Sequence, residues 1–121
     1  MDDVPGSELP FREALESLGE GIFVCDPEGR LRHANPRFSE ITGWSLEEAR
    51  GRPAARLFVP EEEAPELEAR LGLRQPQVPV RQEVHLTRRD GSRIWTEVEV
   101  DPLRKPDGTV EGAVGAIMDV T

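Results

Sequence analysis

The sequence is poor in several residue types that carry chemistry. Its 121 residues include one cysteine, Cys25, two histidines, a single lysine at position 105, and no tyrosine. One thiol excludes an internal disulfide framework and any zinc site built from several cysteines. No apolar run approaches the ~18 residues needed to span a bilayer, and the first residues lack the basic-then-apolar order of a signal peptide. Positive charge is scarce as well: 15 Lys and Arg stand against 24 Asp and Glu, for a net charge of −9. That balance argues against a dedicated nucleic-acid binder, which carries a basic stripe to neutralise phosphates, and against docking on an anionic leaflet. The expectation is a soluble, cytoplasmic segment without nucleic-acid or membrane contact.

Glycine and proline, by contrast, number 11 each and punctuate the chain. Residues 1–10 are polar, broken by Pro5 and Pro10, and read as a loose leader. Phe11, Leu15 and Leu18 follow at i, i+4, i+7, an apolar stripe on a short helix that Gly19 and Gly21 stop. That stripe needs a cover. Two β-prone runs, 21–26 and 30–34, flank the turn Asp26-Pro27-Glu28-Gly29 and predict a hairpin. Asn35-Pro36 is a helix start, with Asn as cap and Pro in the first turn, and the helix ends at Gly43. Ser45 to Glu48 has the spacing of a capping box. Pro53 and Pro60 cut the next stretch into short pieces, and 61–73 reads as a helix whose first turn Pro65 disturbs.

From residue 78 the apolar period changes to two. Val80, Val84 and Leu86 fall on one face; Arg81, Glu83, His85 and Thr87 fall on the other. After the turn at 89–92, Ile94, Thr96, Val98 and Val100 alternate with Trp95, Glu97, Glu99 and Asp101. Pro106-Asp107-Gly108 turns the chain into a last strand interrupted by Gly112 and Gly115. Hairpin, short helices, then a three-strand meander make an α+β fold with one five-stranded antiparallel sheet.

Four stretches in this order, GIFVCDPEGRLRHANPRFSEITGWSLEEARGR, VPEEEAPELEARL, RRDGSRIWTEVEVDPLRKPDG and AVGAIMDVT, make the chain resemble a PAS domain over residues 11–121. The resemblance implies a sheet in order 2-1-5-4-3, with short helices on one face enclosing a small cleft. Phe23, Phe38, Ile41, Leu57, Leu71, Val84, Trp95 and Val98 are the cleft candidates. It also implies that Asp119-Val120-Thr121 is the family's junction to an output domain, with Asp119 and Thr121 as coupling residues and the chain cut from a longer protein. A homodimer formed through Phe11, Leu15 and Leu18 is the expected partner arrangement, with a small-molecule ligand as a further candidate.

Members of the family this chain resembles hold haem, flavin, a chromophore or a metabolite in the cleft, and many hold nothing. Haem is disfavoured because helix 61–73 has no histidine. For the light-sensing flavin subgroup, Pro36 stands in the NPRF stretch where a thiol is needed; the bound-chromophore photoreceptor class places its Cys elsewhere and relies on Tyr, of which this sequence has none. Cys25 reads as a small buried hydrophobe. Alternation puts Trp95 on the face away from the apolar stripe, under the N-terminal helix or in a dimer contact; a bulge would turn it to the cleft and onto a flavin. The acidic run 61–68 reads as a solvated helix face rather than a metal site. Arg52, Arg56 and Arg70 read as surface charge, with an anion as the sharper alternative. No phosphate loop, nucleophile triad or zinc motif is present, so no catalytic residue is named. The expected function is signal input and dimerisation for a histidine kinase, diguanylate cyclase or transcription regulator, with the cofactor open. The alternatives are a ligand-free interaction scaffold and a flavin-binding redox sensor.

Overall fold

The computed structural model describes residues 19–74 and 76–120. The leader at 1–10, the Phe11/Leu15/Leu18 stripe and Thr121 lie outside the described residues. Strands β1 (Gly21–Cys25), β2 (Leu31–Ala34), β3 (Val80–Thr87), β4 (Arg93–Arg104) and β5 (Val110–Asp119) form one sheet in the order β2-β1-β5-β4-β3. Every pairing is antiparallel. Between β2 and β3 run α1 (Pro36–Thr42), α2 (Leu46–Ala49), α3 (Ala54–Phe58), a 3-10 turn (Glu61–Glu63) and α4 (Ala64–Leu71).

Local chemistry explains the helix boundaries. The Asn35 side-chain oxygen accepts from the Phe38 and Ile22 amides at 3.0 and 2.9 Å, while its amide nitrogen donates to the Glu20 carbonyl at 3.1 Å. One residue therefore caps α1 and ties it to β1. Gly43 closes α1 in the left-handed region, with φ of 82°. Ser45 accepts from the Glu48 amide at 3.1 Å, as the capping-box spacing predicts. The helix expected over 61–73 is shorter: Glu61–Glu63 form a 3-10 turn and α4 begins only at Ala64. Pro65 has no N–H to give the Glu61 carbonyl, so an α ladder cannot start upstream of it.

Phe23, Leu31, Phe38, Leu57, Phe58, Leu71, Leu73, Leu86, Val98, Val100 and Ile117 are fully or almost fully buried between the sheet and the helices. Their spacing on β3, β4 and β5 is two, so one face of each strand enters the core and the other does not. Gly115 on β5 is part of this packing, because a Cβ there would run into the Phe23 ring. Glycine at 115 thus makes room for the largest side chain of β1 rather than merely softening the strand.

Candidate functional site: the cleft and the two faces of the sheet

Three aromatic rings meet in the core between sheet and helices. Phe23 from β1, Phe38 from α1 and Phe58 from α3 form a closed triangle, with centroids 5.4, 5.9 and 6.2 Å apart and tilted or edge-on planes. Of the sequence-derived cleft candidates, Phe23, Phe38, Ile41, Leu57, Leu71, Val84 and Val98 all lie in this core, each 3% exposed or less. Thr42 and Thr96 are fully buried and both hydroxyls are engaged. Thr42 donates to the Phe38 carbonyl at 2.9 Å and Thr96 to the Val84 carbonyl at 2.8 Å. Cys25 is buried at 1% exposure, and burial, with the nearby Asp26 carboxylate, pushes its thiol up to about 12. A thiol so held is not a nucleophile near neutral pH.

Trp95 does not belong with the other seven. It is 49% exposed on the opposite face, in regular register with His85 and without a bulge. The two rings stack at 4.3 Å and 7° across the β3–β4 pair. The same outer face carries Ile22, Val24, Val114 and Ala116, half-buried, and Met118, 40% exposed. Glu97, Glu99 and Asp101 sit beside Met118, Ala116 and Val114 respectively. The outer face is therefore apolar on β1 and β5 and, beyond Trp95, acidic on β4.

The chain leaves the sheet next to Trp95. Asp119 pairs with Thr96 across β4, and the Val120 amide donates to the Trp95 carbonyl at 3.0 Å. The three arginines considered as an anion site engage separate partners: Arg52 donates to the Glu48 carbonyl, Arg56 lies 3.7 Å from Glu61, and Arg70 reaches β3. Sequence reasoning passed over Trp44. The Arg52 and Arg89 guanidinium groups both lie over its ring, at 5.3 and 5.0 Å, and Arg89 also pairs with Glu48 at 2.7 Å. This clamp fastens the α1–α2 connection to the β3–β4 turn; only the two arginines' distance along the chain hid it.

The family model for the PAS fold matches residues 10–120. The chain belongs to the PAS family. It is 34% identical over 123 residues to the bacterioopsin transcriptional activator of Halobacterium salinarum, matching 95% of this chain and 18% of that protein. It is 28% identical over 109 residues to the probable diguanylate cyclase DgcE of Escherichia coli K12, matching 88% of this chain and 10% of that one. Among solved structures, a PAS domain from Colwellia psychrerythraea superposes with a TM-score of 0.79 at 21% identity, covering 93% of this chain and 95% of that one. An RNA-binding light-oxygen-voltage receptor gives 0.74 at 27% identity, covering 98% of this chain and 33% of that one. The PAS domain thus spans less than a fifth of the curated relatives it matches. No described helix is long and apolar enough to cross a membrane.

Proposed function

We propose that this PAS domain is a signal-input and dimerisation module of a longer signalling protein, and that it works through its outer sheet face rather than through a molecule held in the cleft. The observation that supports the reading is the Phe23/Phe38/Phe58 triangle, in which the chain's own rings pack against one another between sheet and helices. A flavin does not fit the same residues. Its pyrimidine edge needs hydrogen-bonding partners, whereas the buried Thr42 and Thr96 hydroxyls are committed to backbone carbonyls and Asn35 is committed to capping. Ligand sites normally combine an apolar wall with a few convergent polar groups, and the interior supports only the wall.

The outer face has what a contact surface requires: a half-exposed Trp, an exposed Met and four half-buried apolar neighbours, bordered by carboxylates. Apolar centres with polar rims are typical of protein interfaces, and Trp and Met are enriched there. In this reading Phe11, Leu15 and Leu18 add to the dimer contact. Asp119 and Thr121 pass the change on to an output domain, because the exit of β5 is bonded to the Trp95 backbone. Any shift of Trp95 by a partner is then felt where the chain leaves the sheet.

Sedimentation equilibrium of the domain and of a Trp95→Glu/Met118→Glu variant tests this. The expected result is a dimer whose dissociation constant weakens at least tenfold in the variant, with unchanged secondary structure. A wild-type domain that stays monomeric at millimolar concentration, or a dimer indifferent to both changes, would overturn the proposal.

A further inference from the structure

A five-stranded open sheet has two edges, and here they are closed by different means. On β2 the backbone of the 51–54 segment takes the outward groups: the Leu31 amide donates to the Arg52 carbonyl at 2.9 Å, and the Leu31 carbonyl accepts from the Gly51 amide at 2.8 Å. A third bond, from the Ala54 amide to the Gly29 carbonyl at 2.9 Å, completes that cover. On β3 the cover is made by side chains. Arg70, from α4, donates to the Glu83 carbonyl at 3.3 Å and approaches the Gln82 side-chain oxygen at 3.5 Å. Arg93, from the start of β4, donates to the His85 carbonyl at 2.9 Å and lies 3.8 Å from Glu63.

Alternation places Glu83 and His85 among the outward-facing backbone groups. The Arg88 amide bonds the Ser92 carbonyl across the turn, so even-numbered residues of β3 bond β4 and odd-numbered ones face away. The two guanidinium groups therefore stand where the donors of an added strand would bond. An uncovered edge of this length is a template for pairing with another chain, and charged side chains are a standard way to blunt one.

We infer that the outer edge of β3 is a latent pairing surface for the same strand of a second copy, held shut by Arg70 and Arg93. Its sequence is self-complementary. Antiparallel pairing about a two-fold axis at Gln82 sets Arg81 opposite the second copy's Glu83, and Glu83 opposite its Arg81. Each pair joins opposite charges. The neighbouring Val80 and Val84 also face each other in that register.

The test compares the wild-type domain with an Arg70→Ala/Arg93→Ala variant, both labelled with nitrogen-15, by residue-resolved amide hydrogen exchange over a hundredfold range of protein concentration. Wild-type Arg81 and Glu83 amides should exchange fast at every concentration. In the variant the same two amides should slow at least tenfold as concentration rises. Adding Glu83→Arg to the variant should abolish that protection by opposing like charges, and adding Arg81→Glu as well should restore it. If variant amides remain as fast as wild type at the highest concentration, or if Glu83→Arg leaves the protection intact, the inference fails. Dimerisation through Trp95 and Met118 leaves these edge amides unaffected, so the two readings are separable.

Discussion

The two faces of the β-sheet share the same strands and differ in every physical respect. Inward, Phe23, Val98, Val100 and Ile117 meet helix side chains at 0% exposure, and even the glycine at 115 is dictated by the ring beside it. Outward, one residue along each strand, stand Ile22, Trp95, Glu97, Glu99 and Met118, none of them fully buried. Adjacent residues on a strand thus answer to different demands. The inner set is constrained by packing density, where one methylene is felt. The outer set is free to vary with whatever it contacts. A sensory fold can keep its interior fixed while its outer face adapts to partners, and the proposed function places the weight of signalling on that outer face.

Several experiments would break or sharpen this contrast. The largest effect is expected for Phe23→Ala, which removes one ring from the triangle: about 3–5 kcal/mol of stability lost by chemical denaturation. A loss below about 1 kcal/mol would mean that the interior is looser than its ring contacts indicate. Gly115→Ala should cost about 1–3 kcal/mol through overpacking. Combining it with Phe23→Leu should recover part of that loss, since the two share one space, whereas independent sites would simply add. Asn35→Ala should cost about 1–2 kcal/mol, because the cap and the β1 tie go together.

The Cys25 effect is seen through pH. Its folded thiol is raised above the 9.0 of a free one to about 12. Below pH 9 both folded and unfolded chains keep the proton and the contribution is complete. Between about 9 and 12 only the unfolded thiol ionises, so stability falls as pH rises. Stability curves of wild type and Cys25→Ala should therefore converge with rising pH across that window; parallel curves would contradict it. The smallest stability effect belongs to the outer face: Trp95→Ala should cost less than about 1 kcal/mol, the stacked cross-strand contact with His85 being partly solvated.

Much of this was legible in the sequence because alternation is a geometric property of strands. The period of two on β3 and β4 assigned Trp95 and Val98 to opposite faces, and Asn35-Pro36 marked the start of α1 from capping chemistry alone. The PAS resemblance supplied the strand order, which periodicity cannot give. What the sequence hid depends on contacts between distant residues. Gly115 read as a weak point in β5 because nothing local reveals that Phe23 lies against it. Trp44 passed without comment because Arg52 and Arg89 reach it from separate segments. The late start of α4 has a local cause that the sequence does carry: Glu61 to Glu63 are good helix formers, but Pro65, marked as disturbing the first turn, denies that turn its amide.

The central claim is that the chain's own side chains fill the family's cleft. Native mass spectrometry of the gently purified domain tests it most directly. The account predicts 13.5 kDa or a whole multiple of it, with no bound mass. A reproducible additional mass per chain, lost on unfolding, would contradict it.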